Sequence, residues 1–222
     1  MENNRIKEKY IYRELDTHNK SKESLVQEFH KLFLEKEDSF IIDIFYVQLL
    51  NIYKCTCGFE NFSFEKVFDI PLKMPNIKTY NLLELIRLNF FYDNVKWELP
   101  CKNCQKKDLI IEQFIKISIL NEIIFFSLQR FNRFSNSINN SVVKFEDIID
   151  LSPFIDNLLG VNSYKYSLKG IVNYKGDFEE GHYWFIIKIN GIWYEFNDSI
   201  IRKKDIIDFQ NSTAVILVYE KI

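Results

Sequence analysis

Two residues in the stretch GHYWFIIKINGIWYEFNDS, from Gly181 to Ser199, have the types and spacing of an oriented base: His182 and Asn197. Asn190-Gly191 lies between two apolar runs, and Asn-Gly is the strongest short hairpin signal because both central residues of a type I′ turn need positive φ. With that pair as the turn, Ile189 faces Ile192, and the same register sets His182 opposite Ser199. Asn197 then shares a sheet face with His182 and is its diagonal neighbour, about 7–8 Å away at Cα. A carboxamide oxygen accepting from one imidazole nitrogen fixes the tautomer and leaves the other nitrogen as general base, the chemistry of Cys-His-Asn sites. Asp198 has the opposite parity and is expected to face away unless a bulge turns it. The competing reading is a strand-edge histidine satisfied by a neighbouring polar group. Spacing alone does not separate the two, and the flanking Tyr183, Trp184, Trp193 and Tyr194 suit a core as well as a cleft.

The second constellation is Cys55-Thr-Cys57-Gly58 with Cys101-Lys-Asn-Cys104. Tetrahedral zinc takes four thiolates, and a pair two or three residues apart lets one tight turn present both sulfurs to a single ion. Cys-x-Cys is one residue tighter than the common knuckle, and four unrelated buried thiols are the alternative. If all four hold a metal, none remains as a nucleophile, because a thiolate in a closed structural site is inert.

These residues need strands to carry them. YSLKGIVNY, YWFIIKI, IWYEF and AVILVYE read as successive strands, mostly antiparallel by the shortness of their links. Ile115, Ile117 and Ile119 alternate with Lys116 and Ser118, and EIIFFSLQRF is a further apolar run whose Arg130 is expected to pin a central strand. Two runs of alternation follow the first cysteine pair, Phe62 and Phe64, then Phe68, Ile70 and Leu72 around EKVFDIPL, which reads as strand with Pro71 at its edge or end. Leu25, Phe29, Leu32 and Phe33 predict an amphipathic helix behind the caps Ser21 and Ser24, and Leu82, Leu85, Ile86 and Asn89 a second. DSFIIDIFYVQLLNIYKC is β-rich or mixed, and SNSINNS and NLLGVNS are turn or surface connections. The economical arrangement is a helical N-terminal portion on a C-terminal sheet.

Composition narrows the partners. The 222 residues carry 29 Lys and Arg against 31 Asp and Glu, a formal net charge of -2, so no global attraction draws the chain to nucleic acid or anionic lipid. The start has no apolar signal region and no run approaches the roughly 18 apolar residues of a membrane span, so cytoplasmic or nuclear residence without membrane contact is expected. Four cysteines in two close pairs suit metal ligation in a reducing compartment better than disulfides. Ala214 is the only alanine, and the Asn-rich bias resembles that of an AT-rich coding sequence and carries no functional weight.

In the order CTCG, CKNC, FFSLQRF, GHYW, WYEFNDS and AVILVYE, the chain resembles the ubiquitin-specific proteases, thiol peptidases that remove ubiquitin from proteins. The resemblance covers about residues 39–222. It implies an α+β, papain-like cysteine-peptidase hand, mainly zinc-bearing fingers and an antiparallel palm sheet, with residues 1–38 as the remnant of a truncated helical thumb. It also implies a structural Zn²⁺ on Cys55, Cys57, Cys101 and Cys104, His182 as the catalytic base, Asn197 as its orienting partner and Asp198 as an aid to the oxyanion. The family's opening box, Gly-x-x-Asn-x-Gly-Asn-Thr-Cys-Tyr, has no match between Met1 and Lys54, and VQEFHKLF is only a partial echo of the segment that follows it.

The expectation is therefore a deubiquitinase-like domain, inactive alone for want of the nucleophile, that binds ubiquitin or a ubiquitinated protein. The alternatives are a fragment of an active enzyme whose Cys-bearing thumb comes from a partner chain, and a zinc-stabilised interaction adaptor.

Overall fold

A computed structural model describes residues 20–36, 39–75, 79–97, 100–107, 109–156, 164–205 and 207–222. The turn expected at NLLGVNS lies outside the described residues. Along the chain, α1 (Lys22–Lys36) and α2 (Phe40–Phe45) precede β1 (Val47–Lys54), β2 (Glu60–Val67), β3 (Ile70–Lys73), β4 (Thr79–Asn81) and α3 (Leu82–Phe90). Next come β5 (Phe91–Trp97), β6 (Leu109–Leu120), β7 (Ile123–Gln129), β8 (Phe131–Asn132), β9 (Ser137–Ile138), β10 (Val142–Lys144) and β11 (Ile148–Asp150). The last are β12 (Lys165–Gly176), β13 (Gly181–Ile189), β14 (Ile192–Asn197), β15 (Ile200–Lys204), β16 (Gln210–Asn211) and β17 (Ala214–Lys221). They divide into two compact units, one formed by Met1–Val67, Phe90–Asn121 and Phe154–Asn162, the other by Phe68–Asn89, Glu122–Pro153 and Ser163–Ile222.

The first unit is an antiparallel sheet in the order β2-β1-β6-β5. Helix α1 begins where the sequence places it: the Ser21 hydroxyl accepts from the Ser24 amide at 3.2 Å, satisfying one of the first-turn N–H groups that a helix leaves open. Its apolar stripe covers the sheet, with Leu25, Val26 and Phe29 buried against Leu50 and Phe64, and Phe29 stacked on Phe64 at 5.0 Å. Each such side chain taken from water contributes about 1.5–3 kcal/mol, so the stripe outweighs the single cap bond. Gln48 is buried on β1 with both polar atoms bonded: Tyr46 Oη donates to its Oε1 at 2.7 Å, and its Nε2 donates to Val26 O at 3.3 Å.

The second unit is built on an eight-stranded sheet whose main path runs β15-β14-β13-β12-β17-β7-β3, with β11 added beside β12. A three-stranded sheet, β16-β10-β4, and the β8-β9 hairpin complete its strands. One face of the large sheet is closed by Phe126, Leu217, Tyr219 and Ile171, all buried, and α3 contributes Leu82, Leu85 and Ile86 to the buried set. Asn89 sits at an apolar position of α3 yet is polar for a reason. Its carboxamide accepts from Lys73 N at 2.8 Å and donates to Lys73 O at 3.0 Å, occupying main-chain groups of the edge strand β3.

The two expected runs are two strands, β2 with Phe62 and Phe64 and β3 with Ile70 and Leu72, but the boundary between them differs. EKVFDIPL breaks at Phe68-Asp69, where β2 ends in the first unit and β3 begins in the second. Pro71 then lies on an edge strand that pairs with β7 alone, in parallel, where its missing N–H costs no ladder bond. Among the described residues no helix is long and apolar enough to cross a membrane.

Candidate functional site

The cysteine quartet belongs to the first unit and is made by two turns. Cys55 follows β1, and the chain turns back into β2 with Gly58 N donating to Cys55 O at 2.8 Å and Cys55 N to Phe59 O at 2.9 Å. Gly58 has φ +86, a region that favours glycine. Between β5 and β6 the second turn repeats the pattern, Gln105 N donating to Cys101 O and Cys101 N to Lys106 O, both at 2.9 Å. The strand order sets β1 beside β6, and the four Sγ atoms all lie within 4.8 Å of one another.

Those distances test the fit of a metal. A tetrahedron of Zn–S bonds of about 2.3 Å has edges of roughly 3.8 Å. Cys55 Sγ and Cys104 Sγ are 3.9 Å apart, and Cys57 Sγ and Cys101 Sγ 3.7 Å. A disulfide would need about 2.0 Å, and all four cysteines are free. Main-chain amides already favour the thiolates: the Phe59 amide, aided by the Asn103 carboxamide, holds Cys57 down at about 6, and the Cys104 amide lowers Cys101. The Lys106 amide acts on Cys104 in the same sense, but burial and the neighbouring thiols together push it up to about 11. Four adjacent thiolates repel one another, so a cation is what allows all of them to ionise.

The histidine belongs to the second unit. The β13-β14 hairpin turns at Asn190 and Gly191, with φ +49 and +78, and Ile189 pairs with Ile192 as the sequence requires. The ladder runs only as far as Phe185 and Phe196, so the expected facing of His182 and Ser199 does not form. The chain instead turns at Asp198-Ser199 into β15, and Asn197 pairs with Ile200. His182 Nε2 lies 2.7 Å from Asn197 Oδ1. Since that oxygen only accepts, Nε2 carries the proton, and Nδ1 keeps its lone pair as the basic nitrogen.

Asp198 departs from its expected orientation. It adopts φ +52, and this left-handed residue breaks the strand alternation and brings Oδ2 to 3.9 Å from His182 Nε2. The two groups form an ion pair only when the imidazole is protonated, and with side chains 46% and 79% exposed such a pair contributes at most about 1 kcal/mol, so Asn197 remains the group that fixes the ring. Trp184, two residues along β13, lies nearly parallel to the imidazole at 6.3 Å.

Residues 13–219 match the family model described as ubiquitin carboxyl-terminal hydrolase. The chain belongs to this family. Among curated relatives, ubiquitin carboxyl-terminal hydrolase 21 of Rattus norvegicus is 27% identical over 205 residues, 86% of this chain and 35% of the relative. Ubiquitin carboxyl-terminal hydrolase Usp2 of Drosophila melanogaster is 29% identical over 211 residues, 85% of this chain and 21% of that protein. A probable ubiquitin carboxyl-terminal hydrolase of Acanthamoeba polyphaga mimivirus is 27% identical, with 43% of its length covered. The chain thus spans less than half the length of each. Among solved structures, the SAGA Ubp8/Sgf11/Sus1/Sgf73 DUB module bound to ubiquitin aldehyde matches with a TM-score of 0.75 and 19% identity, covering 90% of this chain and 47% of that one. The same module bound to monoubiquitin matches with 0.75 and 20% identity, which establishes the papain-like α+β fold class expected from the sequence.

Within this ubiquitin carboxyl-terminal hydrolase chain, each expected site residue falls into one of two clusters: Cys55, Cys57, Cys101 and Cys104 in the first, His182, Asn197 and Asp198 in the second. Arg130 stands apart as a strand pin at the end of β7, with Nε donating to Ala214 O at 2.5 Å and Nη1 to Asn139 O and Ser141 O at 2.7 and 2.8 Å. Sequence reasoning missed Tyr174 and Asp177, which shape the turn before His182. The signal available was the pair Gly176 and Gly181 bracketing an Asp, a short turn rich in residues that bond their own main chain.

Proposed function

We propose that the chain is the fingers and palm of a ubiquitin-specific thiol peptidase, residues 39–222, with residues 1–38 as the remnant of its helical thumb. Zinc on Cys55, Cys57, Cys101 and Cys104 closes two hairpin turns and takes no part in bond breaking. His182 is the base, Asn197 fixes its ring, and Asp198 lies at hand for the developing oxyanion. One observation carries this reading: the imidazole is bonded through Nε2 to Asn197 with Nδ1 left basic, while all four thiols of the chain are gathered within 4.8 Å at the other cluster.

Covalent acyl transfer needs a thiolate for that base to activate. Without one, about 10³–10⁴ over water is the most that binding and oxyanion stabilisation leave, so the chain by itself is not an effective peptidase. Its retained capacity is to bind ubiquitin, a reading supported by the similar modules solved with ubiquitin bound. Titration of the ¹⁵N-labelled chain with monoubiquitin is expected to shift main-chain signals saturably. No shift at millimolar ubiquitin removes the proposal.

A second reading is favoured by the same 2.7 Å bond: an oriented base is useful only if a thiol reaches it, so a separate polypeptide supplies the thumb and its cysteine. Mixing the chain with a Cys-box thumb segment is expected to cleave a fluorogenic ubiquitin amide that neither part cleaves alone. Continued inactivity of the mixture, with both parts bound, contradicts it.

A further inference from the structure

His182 is half exposed, so its placement depends on the main chain that delivers it. That main chain comes out of a turn between Gly176 and Gly181, which pair with each other across β12 and β13. Glycine is the residue with most freedom to lose, and two of them at the mouth of a hairpin leave the turn loose unless something else fixes it.

Tyr174 supplies that restraint. Its hydroxyl donates to Asp177 O at 2.6 Å, and its ring lies so close over Gly181 that a Cβ there would fall 2.1 Å from Cζ and Oη. Asp177 closes the turn from the other side. Its Oδ1 accepts from Glu179 N at 2.9 Å and from Glu180 N at 2.8 Å, and its own amide donates to Glu180 O at 2.9 Å. The Tyr174 ring is itself held edge-on by Phe131 of β8 at 5.0 Å and tilted against Tyr183 at 4.6 Å, beside His182. Burial raises the Tyr174 phenol above its ordinary value and keeps it a donor, while the Glu180 and Glu179 amides keep Asp177 an ionised acceptor.

We propose that Tyr174 and Asp177 are positioning residues for the His182-Asn197 pair, clamping the Gly176–Gly181 turn so that the imidazole meets the carboxamide. This deepens the proposed function and rests on that pair being the base and its orienter. Neither residue touches the reacting atoms. Their action passes through the main chain at Gly181.

The test is the exchange of the His182 Nε2 proton with water, followed by NMR on the full chain with ¹⁵N-labelled histidine. Tyr174→Phe, which keeps the ring, and Asp177→Ala are each expected to speed this exchange by at least about fivefold, the scale of one lost hydrogen bond. Amide exchange in β17 is expected to stay unchanged. Asp177→Asn, which keeps the accepting oxygen, is expected to restore the slow rate. Asn197→Ala separates the two levels. If it speeds exchange while Tyr174→Phe and Asp177→Ala do not, the clamp is refuted and the pair stands. If Asn197→Ala leaves the rate unchanged, both fall.

Discussion

At the scale of single residues, the chemistry turns on one proton. Nε2 of His182 donates to Asn197, and the hydrogen bond is exposed enough that its loss costs only about 0.5–1.5 kcal/mol of stability. Asn197→Ala is therefore expected to lower the melting temperature by a few degrees at most while freeing the ring, a separation that calorimetry and histidine NMR together can check. Gly181 is the opposite case. A methyl group there meets the Tyr174 ring, so Gly181→Ala is expected to destabilise by roughly 1–3 kcal/mol and to displace His182, seen as a lower denaturation midpoint with shifted histidine signals. Asp177 sets the pH response of the same turn. The Glu180 and Glu179 amides hold its folded pKa below the ordinary value of 3.8. The stabilisation is thus present above that value and is lost as the pH falls through the lowered one. Acid titration of the Glu180 amide is expected to show a midpoint below 3.8, and a midpoint above it contradicts the turn as described.

At the scale of elements, α1 contributes through its buried stripe more than through its cap. Ser21→Ala is expected to cost about 1 kcal/mol and Phe29→Ala about 3–5 kcal/mol in urea denaturation, an order that reverses if the helix is held chiefly by local capping. Both features could be read directly, since a serine cap and a 3.6-residue stripe are local signals. The Asn190-Gly191 hairpin was legible for the same reason, and it placed His182 and Asn197 on one face. Asp198 was singled out by the resemblance, but its turn toward His182 was not legible, because a left-handed residue that is not glycine leaves no mark in a period-two pattern. The position of the break at Phe68-Asp69 was hidden too: Glu65–Val67 read with the second run, and only the separate partners of β2 and β3 assign them to the first. Likewise β15, which was not among the expected strands, carries Arg202, Lys203 and Lys204, a charged edge that pairs with β14.

At the scale of the whole molecule, the chain interleaves its two units, passing from one to the other at Val67, Asn89, Asn121, Pro153 and Asn162. The cysteine cluster lies wholly in the first and the histidine pair wholly in the second. Chelation of zinc is accordingly expected to abolish amide protection around Cys55–Phe59 and Cys101–Lys106 while leaving β12 and β13 protected, as hydrogen exchange would show. On the proposed reading, all four thiols of the chain serve a metal and none serves His182. It is tested most directly by exposing the native, zinc-loaded chain to ubiquitin bearing a thiol-reactive C-terminus and reading the product by mass spectrometry. The expected result is the unmodified mass. A covalent ubiquitin adduct on any of the four cysteines would contradict it.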